Sequence, residues 1–105
     1  MNEIALKEFP FSIELRIRYS ETDSQGLLFN ANYLNLVDVA ITEFFRFKSV
    51  DYKTIIETYR IDFHVIETKI KYFKPIYFDD LIQIYVRPII NKYKINWLFY
   101  FIKEG

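Results

Sequence analysis

The chain has 105 residues, 51% of them hydrophobic and 20% aromatic, with fourteen basic residues against fourteen acidic and no cysteine. That length implies one domain, 1–105, zero net charge offers no field for nucleic acid or an anionic membrane surface, and the missing cysteine excludes disulfides and Cys-based zinc sites. The opening MNEIALKEFPF has no basic run leading into an apolar one, and no stretch of about 18 apolar residues exists, so no signal peptide or spanning helix is expected and the cytoplasm is the default address.

In chain order, residues 11–19 alternate strictly. Phe11, Ile13, Leu15, Ile17 and Tyr19 face one way and Ser12, Glu14, Arg16 and Arg18 the other, which predicts a half-buried strand. Residues 20–26 read as a loop, with Gly26 supplying a backbone conformation other residues resist. Residues 31–47 predict a helix with Asn30 as its N-cap. At 100° per residue, Asn32, Asn35, Asp38, Thr42, Glu43 and Arg46 fall in one arc of roughly 140°, so the helix should be enclosed by a wrapping sheet or a partner.

Residues 48–60 read as a connection with a short helix near 51–58. Residues 61–73 predict a strand whose apolar phase switches near Val65 and Ile66, the mark of a bulge. Residues 74–80, KPIYFDD, form a turn region. Residues 81–90 place Ile82, Ile84, Val86 and Ile90 on one strand face, and Pro88 argues for an edge or a bulge there. Residues 95–102 make a last strand, apolar on both faces. The order predicts an α+β fold, a curved antiparallel sheet against one long central helix. The apolar surplus exceeds what one thin core absorbs, and a subunit interface is the simplest place for it.

The stretch Tyr19-Ser-Glu-Thr-Asp23-Ser-Gln-Gly26-Leu-Leu-Phe-Asn30-Ala-Asn-Tyr33 resembles the signature of the hot-dog fold acyl-CoA thioesterases of the 4-hydroxybenzoyl-CoA thioesterase type. The segment from Ile70 to Leu81, with Pro75, Asp79 and Asp80, is similar to that family's strand, Pro-containing turn and acidic pair. The resemblance runs from Phe11 to Gly105. It implies a sheet wrapped around the central helix, a homodimer or homotetramer with active sites at the dimer interface, and hydrolysis of an acyl-CoA or acyl-carrier-protein thioester. It implies no metal and no cofactor beyond coenzyme A as part of the substrate. The family has one more strand after the one ending near Ile102. The final Lys-Glu-Gly reads like the turn leading into it, so a truncated C-terminus, or a member lacking the last strand, is the expectation, with low stability unless a partner covers the exposed edge.

By that resemblance Asp23 matches the catalytic carboxylate, as general base on water or as nucleophile. The backbone N–H of Asn30, at the positive end of the helix, matches the group that polarises the thioester carbonyl, and Gly26 lets the backbone pass close to the ligand. Tyr33 is a packing residue and a candidate pocket wall. Asp38 falls where members carry Glu, to orient the site or bind across the dimer, but Ile41 replaces the Arg that usually follows. Lys69, Lys71 and Lys74, with Arg60 behind them, are candidates for the coenzyme A phosphates, against the alternative of a solvated strand face. Glu21 reads as a solvated loop acid. His64 is the only histidine and reads as a strand residue without catalytic partners. The rival function is a non-catalytic hot-dog module that binds acyl-CoA or mediates assembly.

Overall fold

The computed structural model describes residues 8–49, 53, 54, 57, 65, 67–90 and 94–103. Its described elements are strand β1 (Phe11–Arg16), a 3-10 turn (Tyr19–Glu21), helix α1 (Asn30–Phe47), strand β2 (Leu81–Ile90) and strand β3 (Ile95–Lys103). The strands form an antiparallel sheet in the order β1-β2-β3. Phe11 pairs with Val86 and Arg16 with Leu81, while Ile82 pairs with Lys103 and Ile90 with Ile95. One long helix on an antiparallel sheet is the α+β architecture expected from the alternation.

The core lies between α1 and the sheet. Along β2 the side chains of Ile82, Ile84 and Val86, two residues apart, share one face and are fully buried. From the helix, Leu36, Ala40 and Phe44 face them at intervals of four, the spacing that stacks side chains on one helix face. Ala40 has no exposed surface, and its single methyl lets helix and sheet approach closely. Phe44 meets Trp97 edge-on at 5.5 Å, and Phe11 stacks on Phe47 at 4.8 Å. Burying each large apolar side chain contributes about 1.5–3 kcal/mol, which makes the Ile82–Ile84–Val86 face the main anchor of the sheet.

Three expectations are corrected. Tyr19 does not continue the inward face of β1. The chain leaves the strand after Arg16 and tightens into the 3-10 turn, so Ile17 is buried while Tyr19 is 77% exposed. Asn30 is not the N-cap: Phe29 holds that place, without a side-chain cap, and Asn30 is the first helical residue. Among the described residues a three-stranded sheet covers one stripe of the helix, and Leu34, Val39 and Phe47 are exposed on the remainder, where a partner was the alternative cover. Of the strand predicted over 61–73, residues 61–64 and 66, including His64, lie outside the described residues. Residues 65 and 67–73 join no ladder among the described residues. Alternation marks a segment that could be a strand, but a strand also needs a neighbour for its backbone N–H and C=O groups, and none of the described residues supplies one.

Pro88 sits in the central strand and still obeys its constraint. Pairing with β1 ends at Val86, so at Pro88 strand β2 has a described neighbour on one side only. Of the short helix expected near 51–58, residues 53, 54 and 57 are helical and the remainder, like Arg60, lies outside the described residues.

Candidate active site

The loop from Thr22 to Phe29 joins the end of the 3-10 turn to the first turn of α1. It is closed by its own backbone. The N–H of Asp23 donates to the Leu27 carbonyl at 2.8 Å, and the N–H of Gly26 to the Asp23 carbonyl at 3.0 Å. Gly26 takes φ 80°, a left-handed conformation that explains the glycine. A Cβ there would meet nothing within 4 Å, so backbone conformation rather than close packing is what demands it.

The two motifs singled out in the sequence meet here. The 74–80 turn latches onto the loop through main-chain bonds: Leu28 N–H to the Ile76 carbonyl at 2.7 Å, and Phe78 N–H to the Gly26 carbonyl at 2.8 Å. It also clasps the end of β1, where Ile17 N–H donates to the Asp80 carbonyl and Asp79 N–H to the Ile17 carbonyl, both at 2.9 Å. Lys103 ties the same turn to β3 through the Asp80 carboxylate at 3.3 Å and the Pro75 carbonyl at 3.1 Å.

Between loop, helix and turn lies a cavity of about 340 Å³ lined by Asp23, Leu27, Leu28, Asn30, Tyr33, Tyr72, Phe73, Lys74, Pro75 and Ile76. The Oδ1 atom of Asp23 accepts from the N–H of Gln25 at 2.8 Å and of Leu27 at 3.1 Å. Its Oδ2 makes no hydrogen bond among the described residues. One oxygen is therefore held and the other presented. Asn30, at the first position of α1, has an N–H with no carbonyl four residues back in the helix to receive it. No described backbone group accepts it. Tyr33 stands one turn further along, edge-on to Tyr72 at 5.3 Å and against Phe101 at 5.4 Å. Burial, and secondarily the neighbouring Tyr72, raise its phenol above the ordinary value of 10.0.

Asp23, Asn30, Tyr33 and Lys74 thus share one cavity, and Gly26 shapes the loop behind it. Lys69 and Lys71 are exposed on the same segment as Lys74 but do not line the cavity. Asp38 does not belong to it. It lies on another face of α1, in a shallow groove with Val39, Thr42, Glu43 and Arg46, where Glu43 and Arg46 form an ion pair. The lining residues Tyr72, Phe73 and Ile76 were read from the sequence only as strand and turn.

Glu21 is a correction. It is the buried charged residue among those described, 7% exposed. Its carboxylate receives the N–H of Arg18 at 2.8 Å and the Arg18 guanidinium at 3.1 Å, which closes the 3-10 turn from its C-terminal side. That hydrogen bond and charge make the Arg18 guanidinium hold its proton still more tightly.

Comparison with known proteins bears on the fold and the family. Residues 25–89 match the Thioesterase superfamily, a span that begins two residues after Asp23 and takes in the rest of the cavity loop, α1 and most of β2. The acyl-CoA thioesterase YbgC of Haemophilus influenzae is 31% identical over 70% of this chain, a match covering 54% of that protein. The chain thus spans about half the length of this curated relative. Among solved structures, a hypothetical protein of Aquifex aeolicus superposes with a TM-score of 0.82 at 23% identity, over 90% of this chain and 76% of its own. The BH1999 gentisyl-coenzyme A thioesterase superposes with a TM-score of 0.79 at 25% identity, over 90% of this chain and 77% of its own. The helix laid on an antiparallel sheet is the hot-dog fold of these neighbours, and with the match over residues 25–89 the chain belongs to the Thioesterase superfamily.

Proposed function

We propose that this chain hydrolyses an acyl-CoA or acyl-carrier-protein thioester in the cavity at the mouth of α1. The observation that carries the proposal is that the Asp23 carboxylate and the first residue of the helix, Asn30, line the same cavity. The two groups are complementary. A thioester carbonyl carbon must be attacked by an oxygen nucleophile while negative charge grows on the carbonyl oxygen. In this reading the N–H of Asn30, at the positive end of an 18-residue helix, receives that charge.

As general base, Asp23 takes a proton from water through Oδ2 while the water oxygen bonds to the carbonyl carbon. The tetrahedral oxyanion then collapses, the C–S bond breaks, and the thiolate regains a proton, leaving a carboxylic acid and free thiol. As nucleophile, Asp23 would displace the thiolate to give a mixed anhydride, which water hydrolyses to restore the carboxylate. Tyr33, Tyr72 and Phe73 form an apolar wall for the acyl group. Lys74, with Lys69 and Lys71 beyond it on the same segment, offers positive charge to the coenzyme A phosphates. Exposed Val65, Ile70, Tyr72 and Phe73 support an assembly of two or four copies.

The acyl-CoA-binding module without catalysis is also supported, since the bonds from Gln25 and Leu27 give Asp23 a turn-closing role that needs no chemistry. Release of free thiol from a panel of short, long and aromatic acyl-CoAs separates the two. Turnover of any member supports the hydrolase. Binding of the acyl-CoAs without thiol release by the folded chain supports the module.

A further inference from the structure

Two residues that do not line the cavity tie its two halves together. The Glu21 carbonyl accepts both the N–H of Phe29 at 3.0 Å and the Nδ2–H of Asn32 at 2.9 Å, which uses both lone pairs of that oxygen. Asp23 lies two residues after Glu21, and Asn30 two residues before Asn32. The pair of bonds closes the intervening loop as a clasp, with Asp23 near one end and the helix mouth near the other. Neither end is loose. The Glu21 side chain is buried and held by Arg18. The Asn32 amide is oriented by Asn35, whose Nδ2 donates to Asn32 Oδ1 at 2.9 Å.

We propose that Asn32 is a positioning residue which, through the Glu21 carbonyl, sets the separation between the Asp23 carboxylate and the Asn30 N–H. The proposal rests on the reading of those two groups as the reacting pair. Asn32 does not line this cavity, so its influence is on alignment rather than on substrate binding. Misplacement of reacting groups by about 1 Å can lower a rate by about a hundredfold. Loss of one bond of the clasp should therefore appear in kcat and leave KM nearly unchanged.

The test uses the full chain with Asn32→Ala and Asn32→Asp, measured by thiol release and by amide hydrogen exchange. Asn32→Asp keeps the shape but replaces the donor by an acceptor facing the Glu21 carbonyl, while an acid in the first helical turn favours the helix and offsets part of the loss. The expected result for both is a kcat lowered by about tenfold or more with KM within about twofold. The Phe29 amide should exchange about fivefold to tenfold faster, with Ile84 in β2 unchanged. Unchanged kcat in Asn32→Ala, or unchanged exchange at Phe29, overturns the proposal. If the native chain releases no thiol from any substrate, the reading of the reaction fails, and exchange at Phe29 still decides whether the clasp exists.

Discussion

Asp23 and Leu27 are bound to each other twice: the N–H of Asp23 donates to the Leu27 carbonyl at 2.8 Å, and the N–H of Leu27 donates to Asp23 Oδ1 at 3.1 Å. A flexible acidic loop is thereby made into a closed ring. Order of this kind gives a carboxylate a fixed position without burying it, since Asp23 itself stays exposed. The ring and the helix mouth are built from adjoining residues, so one short stretch of chain carries both halves of the proposed site.

Gly26 sits in that ring at φ 80°. Gly26→Ala should destabilise the protein by about 1–2 kcal/mol from backbone strain alone, because the new Cβ meets no neighbour. Gly26→Asn, which tolerates the left-handed region better, should cost less. Thermal melts of the two variants check the order, and an Ala variant as stable as the native chain would contradict the strain argument.

Tyr33 gives a pH dependence with a definite sign. Its folded phenol titrates above the ordinary value of 10.0, so the unfolded chain loses this proton first as pH rises. Below the unfolded value the contribution to stability is fully present. It declines as pH climbs from there through the folded value. Melts at about pH 9 and about pH 11 should show a smaller alkaline loss in Tyr33→Phe than in the native chain. Equal losses would mean that the Tyr33 environment does not favour the neutral phenol.

Lys74 lines the cavity while remaining exposed, as a phosphate contact should. Lys74→Ala is expected to raise KM for acyl-CoA several-fold, on the order of 1 kcal/mol of uniform binding, with kcat little changed. Added salt should narrow the difference. A thioester of a truncated thiol without phosphates should not distinguish the two proteins. A drop in kcat with KM unchanged would place Lys74 in the chemistry instead.

Periodicity made β1, α1, β2 and β3 legible, since Ile82, Ile84 and Val86 alternate and Leu36, Ala40 and Phe44 recur at four. The lining of the cavity was legible where a motif fixed the spacing, as with Asp23, Asn30 and Tyr33. Asp38 was placed near them by the resemblance alone, to orient the site or to bind across a dimer. Yet five residues from Tyr33 carry it roughly 140° around the axis, which the helical repeat alone could have shown. The burial of Glu21 was hidden because a single acid in a polar stretch looks solvated. One of its partners, the N–H of Arg18 three residues back, is a backbone group that carries no side-chain signal, and the other, the Arg18 guanidinium, reads in the sequence as an ordinary exposed basic residue. The unpaired 67–73 segment shows a similar limit, since alternation describes a segment's faces and not its neighbours.

The most direct measurement compares thiol release by the native chain and by Asp23→Asn. The substitution keeps an Oδ1 acceptor for the N–H groups of Gln25 and Leu27, so the loop should keep its closure while the second oxygen is lost as base or nucleophile. With circular dichroism confirming an unchanged fold, the account predicts a kcat lower by about 10²- to 10⁴-fold. A folded Asp23→Asn protein that turns over acyl-CoA as fast as the native chain would contradict it.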